Sequence, residues 1–261
     1  MTVFMLATKI FFRELRSGQL LLMFLSLSLA VGIVASITFF TDRLDSSLMM
    51  ESKQFLGGDL KYESSTPLNE SKFPIENYSY AVINEFGSVL GSTKKFQLAS
   101  VKSVSPPYPL IGEIEILKIN NEKVIKTNPP KSGKVWLDMR LAELLEVTIN
   151  DKINIGEKDF LVSGIIVAES DRGAGSFAFA PKAIMNSFDL DEANVIQPGS
   201  RVRYSYIFVG SEEAVKLLEN FFQSIKKPGD EITTPGNESS PLGRAIKRAS
   251  NFFLLGALLA I

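Results

Sequence analysis

The residues that come nearest to a reactive site are Ser132-Gly133-Lys134, Asp189-Leu190-Asp191 and Ser224 with Lys227. A phosphate-binding loop needs a glycine-rich turn to cradle phosphate oxygens and a lysine to meet their charge. Here Asn128 stands where the first glycine belongs, and Val135 follows Lys134 in place of a hydroxyl. Asp189-Leu190-Asp191 opens like a calcium loop, but Ala193 replaces the third ligand and Asn194 the glycine. Ser224 to Lys227 matches a serine-lysine nucleophile pair by four residues alone. Glu169, Asp171 and Arg172, with Gly173 and Gly175, read as a solvated turn. The chain has no histidine and no cysteine. That removes the usual general base, the commonest metal ligand and any Ser-His-Asp arrangement together. No catalytic, cofactor-binding or metal-ligating residue is therefore assigned, and the chain is not expected to be an enzyme. Asn69, Asn77 and Asn237 open glycosylation sequons, which matter only in a cell that glycosylates them.

The formal net charge is −1 over 261 residues, so no broad field gathers nucleic acid or an acidic substrate. The chemistry, if mechanical, must lie in the elements. Residues 20–40 carry no charge and no proline. Roughly 20 apolar residues span a bilayer core as a helix, and in lipid only a helix satisfies its own backbone. Lys9, Arg13 and Arg16 precede the span, which places the N-terminus inside and residues from Thr41 onward outside. A cleaved signal peptide is the competing reading, although its apolar region should be shorter. Residues 1–19 fit either an interfacial helix on the inner leaflet or an extension of the span. Ser28, Gly32 and Ser36 share one helix face, which allows close approach of another helix or reflects a serine-rich span by chance.

Past the span, Leu44, Leu48 and Phe55 fall near one face, and Gly57-Gly58 stops the pattern. Residues 41–58 thus form a stalk helix, continuous with the span. From Asp59 the period becomes two. Strands are expected at 59–63, 78–86, 95–104 and 111–119, with 87–91 as a loop. A short strand at 135–137 leads to Asp138, which caps a helix to Glu146. A hairpin follows around Gly156, then a strand at 176–180. Pro181 is expected to start a helix over 182–187. A strand at 201–209 and a helix capped by Ser211 complete the pattern, and 226–240 reads as a linker. Residues 252–261 are uniformly apolar and too short to span alone, so a second transmembrane helix is expected to begin there. Gly256 and Ala260 offer small residues against which the face of Ser28, Gly32 and Ser36 can pack.

Phe12-Arg13-Glu14-Leu15-Arg16, Ser28-Leu29-Ala30-Val31 and Gln54-Phe55-Leu56-Gly57-Gly58-Asp59 resemble the start of the MacB/LolC/FtsX-type ABC transporter permeases. Residues 98–104 with Tyr108-Pro109-Leu110-Ile111-Gly112, Gln197 to Val202, and Leu242-Gly243-Arg244 with Phe253-Leu254-Leu255 are most similar to the YbbP-like branch. The resemblance implies a membrane-anchored α+β protein of the bacterial inner membrane. It implies a cytoplasmic ATPase partner, no cofactor, and a two-lobed periplasmic region. The porter-like lobe is placed at 59–112 and 198–240, the inserted small α/β lobe at 113–197, and the truncated second transmembrane helix with its stalk at 241–261. The resemblance implies motion relayed through stalk helices onto lipoproteins or hydrophobic compounds, with a periplasmic esterase as a further partner. An FtsX-like mechanical regulator, or a single-pass exoplasmic sensor, are the alternatives. Arg244, Lys247 and Arg248 precede the second apolar run on its outer side and depart from the charge rule.

Overall fold

A computed structural model describes residues 5, 6, 10, 13, 18–74, 77–118, 122–126, 128–170, 180–235, 248, 249, 251, 252, 255 and 256. The chain divides into two units, residues 1–50 with 238–261 and residues 51–237. The expected strand at 176–180, save Ala180, lies outside the described residues. So does most of the expected second transmembrane helix, Ala260 included.

The expected continuous helix is present as α1 (Gln19–Leu56), 38 residues long. At 1.5 Å per residue it reaches roughly 57 Å, well beyond an apolar bilayer core of about 30 Å. It is the one helix among the described residues long and apolar enough to cross a membrane. None of its residues from 20 to 40 is fully buried. Its hydroxyls return to the helix itself: Thr38, Thr41, Ser46 and Ser47 each donate to the carbonyl four residues back, at 2.9 Å. These four hydroxyls therefore find their acceptors inside the helix.

The second unit is built on a mixed sheet of eleven strands. They are β1 (Leu60–Ser64), β2 (Tyr78–Gly91), β3 (Phe96–Val104), β4 (Ile114–Leu117), β5 (Lys123–Lys126), β6 (Lys134–Asp138), β7 (Lys152–Ile155), β8 (Lys158–Glu169), β9 (Lys182–Asn186), β10 (Val202–Gly210) and β11 (Glu231–Thr233). The order is β11-β1-β10-β2-β3-β9-β6-β8-β4-β5, and β7 pairs with both β2 and β8. The β3–β9 and β6–β8 pairs are parallel and the others antiparallel. The helices are α2 (Met139–Leu145), α3 (Leu190–Ala193) and α4 (Glu212–Ile225). Asp138 caps α2 by accepting from the Leu141 amide at 2.6 Å, as its sequence position predicts. Ser211 caps α4 through the Ala214 amide, with Glu212 and Glu213 in the first turn.

Side chains alternate between the two faces of the sheet. On β2 the even positions supply two cores. Tyr78, Tyr80 and Val82 join an aromatic cluster with Tyr62, Phe73, Phe208 and Phe222 under α4. Phe86 and Leu90 join an aliphatic cluster with Val101, Leu137, Leu141 and Met185 under α2. Asn84 lies between them, opposite Ser103 in register, so a buried polar pair interrupts the apolar surface. The odd positions Ala81 and Ile83 belong to a third cluster with Val104, Tyr108, Ile116, Trp136 and Ile184.

Three expectations are corrected. The strand β2 runs through Gly87 to Gly91, because Gly87 pairs with Ser100 and Gly91 with Phe96. Residues 182–186 form β9, not a helix. Ala183, Ile184 and Met185 are wholly buried between β3 and β6, and a strand with neighbours on both sides needs no polar face. The linker over 226–240 contains β11, which pairs with β1.

β11 is held by Asp230, whose Oδ2 accepts from the Tyr62 hydroxyl at 2.5 Å and the Lys227 amide at 2.9 Å. Burial alone would raise the carboxyl, but these bonds, with Ser64 and the Lys227 charge, hold it below its ordinary 3.8. A depressed carboxyl contributes stability above its unfolded value and loses it as pH falls through the native one. Asp230→Asn is expected to cost about 2 kcal/mol in urea unfolding at pH 7. The difference from the parent should close as pH drops below 3.8. A difference that persists in acid would assign the loss to shape rather than charge.

Candidate mechanical site: the joint between helix and sheet

The joint is made by Gly57, Gly58 and Asp59. Gly57 has φ +76°, the left-handed turn that ends α1, and its amide donates to the Lys53 carbonyl at 2.9 Å. Gly58 is buried against β10. A Cβ placed there would collide with the Ile207 side chain and lie 2.8 Å from the Phe208 carbonyl oxygen. Asp59 then makes three ties. Its amide donates to the Phe208 carbonyl at 2.8 Å, its Oδ2 accepts from the Gly210 amide at 3.2 Å, and its Oδ1 meets Lys53 Nζ at 2.7 Å. Lys53 lies in the last turn of α1, so this ion pair crosses the corner from helix to strand. These ties hold the last turn of the helix, from Lys53, to the start of β1 and the end of β10.

The predicted stalk residues lie on α1. Leu44 and Leu48 are half-buried, whereas Phe55 is 51% exposed. Half-buried positions recur at Ala30, Val34, Ile37, Thr41, Leu44 and Leu48, alternately four and three apart, which marks one seam along the helix. Ser28, Gly32 and Ser36 are exposed and fall outside that seam. A Cβ at Gly32 or at Gly256 would meet nothing within 4 Å.

Two of the failed motifs meet in space. Asp189, wholly buried, accepts from the Ser132 hydroxyl at 2.5 Å, from the Gly133 amide at 3.0 Å and from Lys158 Nζ at 2.7 Å. All that hydrogen-bonding capacity is spent inside the fold, so the cluster ties the loop before β6 to the turn after β9. Ser224 donates to the Phe221 carbonyl of its own helix at 2.7 Å. Glu169 differs most from its expectation. It ends β8 with its side chain 5% exposed and receives Lys102 Nζ at 2.6 Å and the Tyr108 hydroxyl at 3.0 Å. Burial pushes its carboxyl up, but the Lys102 ammonium, with Lys182 and the Tyr108 hydroxyl, more than offsets this and holds it below the usual range. Asp171, Arg172, Gly173 and Gly175 lie outside the described residues.

No family model matches the chain. Among curated proteins the chain is similar, over 96% of its length, to an ABC transporter permease. That relative is the uncharacterized ABC transporter permease YbbP of Escherichia coli (strain K12), 31% identical over 258 residues. The chain spans 31% of the relative's own length. The resemblance read from residues 12–16, 28–31 and 54–59 therefore holds at the level of the whole chain. Among solved structures, the periplasmic region of MacB from Actinobacillus actinomycetemcomitans superposes with a TM-score of 0.45 at 10% identity, covering 72% of this chain and 94% of that one. The extracellular domain of the noncanonic ABC-type transporter YknZ from Gram-positive bacteria gives 0.43 at 8% identity, covering 67% and 100%.

Proposed function

We propose that this chain is part of an ABC transporter permease subunit that relays the motion of a cytoplasmic ATPase to an exoplasmic domain. The observation that carries the reading is the unbroken α1, which runs into β1 through a joint with no room for a side chain at Gly58. The similarity to a permease supports it. In this reading the protein sits in the bacterial inner membrane, and residues 41 to about 250 face the periplasm. The outer segment has two lobes, 59–112 with 198–240 and the inserted 113–197. A second transmembrane helix starts within 241–261 and packs through Gly256 and Ala260 against Ser28, Gly32 and Ser36. The work done is extraction or export of a hydrophobic, lipid-like or lipoprotein cargo, with a periplasmic esterase as a candidate partner.

The test uses the full-length permease with its ATPase in membranes. Leu48→Pro removes a backbone donor and strains the preceding turn, at a local cost of about 3 kcal/mol. Cargo-stimulated ATP hydrolysis should fall to the basal level. A cysteine at the exposed Lys94 should still react with an impermeant maleimide in intact spheroplasts. Unchanged stimulation would make the helix a spacer, and labelling only after lysis would reverse the topology.

A further inference from the structure

We propose that Lys102, Tyr108 and Glu169 form a lock that fixes the inserted lobe to the porter-like lobe, so that the two move as one body. The proposal rests on the division into lobes given above. Lys102 on β3 and Tyr108 in the following loop belong to the first lobe, and Glu169 at the end of β8 belongs to the second. Lys102 Nζ lies 2.6 Å from both the Tyr108 hydroxyl and Glu169 Oε1, and the Tyr108 hydroxyl donates to the same oxygen at 3.0 Å. The Lys102 and Glu169 side chains are 4% and 5% exposed. Lys182 of β9 stands 3.9 Å from the other carboxylate oxygen.

The strand pairing across the boundary is modest. β3 and β9 pair in parallel over five residues, Ser100–Val104 against 182–186, and β2 meets β7 at Leu90 and Gly91 only. A parallel ladder is slightly weaker per residue than an antiparallel one. The aliphatic and the third apolar cluster also cross the boundary, the first joining Phe86, Leu90 and Val101 to Leu137, Leu141 and Met185, the other joining Ala81, Ile83 and Val104 to Ile116, Trp136 and Ile184. Apolar contact is not directional, so it resists separation more than sliding. The triad is directional. Any slip of β9 along β3 that carries Glu169 away leaves a buried ammonium without its carboxylate, and such charges are costly in a poorly solvated interior. A buried, satisfied polar network can thus choose one register among several that apolar packing would accept.

Hydrogen exchange resolved by peptide, on the whole chain in detergent micelles, tests the lock. Glu169→Gln and Lys102→Met each leave one buried partner unmatched. Amides of β9, and those of Lys102 and Val104 that face it from β3, should then exchange on the order of a hundredfold faster, the equivalent of losing a buried charge partner. Amides of β1, β10 and α4, under the aromatic cluster, should keep their parent rates. The double variant Lys102→Met with Glu169→Met has no buried charge to leave unmatched, and protection at β3–β9 should return. Tyr108→Phe keeps the ion pair and should fall between parent and single variants. Single variants that exchange like the parent at β3–β9 would overturn the lock alone. Uniform acceleration across every strand and α4 would overturn the division into lobes.

Discussion

Phe222→Ala is expected to lower the unfolding free energy by about 3–5 kcal/mol, the range for emptying a filled aromatic site. Phe222 is wholly buried and sits on α4 in the row Ala214, Leu218, Phe222, the one face of that helix that meets the sheet. Its ring stacks on Tyr62 at 4.5 Å and meets Phe73 at 5.6 Å and Phe208 at 5.3 Å. Tyr62 lies on β1, Phe208 on β10, and Phe73 in the segment before β2. One side chain therefore joins the helix to three separate stretches of chain. Alanine removes the ring and leaves a cavity whose rigid aromatic walls cannot close. Urea unfolding of the chain in micelles, followed by far-ultraviolet circular dichroism, reads the loss. A cost under about 1 kcal/mol would mean that α4 shifts to refill the space.

Gly58→Ala is the second large effect. Where the backbone angles suit any residue, replacing glycine by alanine gains slightly by stiffening the unfolded chain. Here the added methyl meets the Phe208 carbonyl oxygen at 2.8 Å and the Ile207 side chain. One of these is backbone within a paired strand and cannot rotate aside. Either β1 moves off β10 or the corner after α1 opens, and overpacking of this kind costs about 1–3 kcal/mol. The same chain should show faster exchange at Leu60 and Tyr62, next to the corner. In the full permease, stimulation of the ATPase should drop more than stability alone accounts for. A variant with parent stability and parent exchange at β1 would show that the joint has slack.

The helices and their caps were legible because their signals are local. Asp138 and Ser211 sit just before apolar runs of helical period, and Gly57-Gly58 ends an uninterrupted run from Ala35. Residues 182–187 read as a helix because Pro181 suits a first helical turn as well as the approach to a strand. What decides it is burial by β3 and β6, which are more than 40 residues away in sequence. Gly87 to Gly91 suggested a loop, yet Gly91 serves to make room for the Phe96 ring, whose Cε1 would lie 2.8 Å from an added Cβ. The Lys102–Glu169 pair spans 67 residues and carried no motif. Lys102 shares the polar phase of the run from Ala99 to Val104 with Ser100, the phase that reads as solvent-facing, so nothing local marks its burial. The Gly58 joint left a clue in its doubled glycine, but the second glycine's reason, the closeness of β10, was not local.

The pairing of β1 with β10 also sets a clock. Leu60 pairs with Phe208 and Tyr62 with Tyr206, so the first strand to leave the ribosome cannot meet its partner until about 150 further residues have been made. At cellular synthesis rates that takes on the order of ten seconds. Throughout that interval Leu60 and Tyr62 lack β10, and β2 and β3 have only each other until β7 and β9 are made. The hairpin of β2 and β3, closed by a short turn at 92–95, is the one long antiparallel pair available early. Biogenesis of this chain therefore runs through a half-made sheet with exposed apolar strands, the kind of species that holding chaperones protect from aggregation.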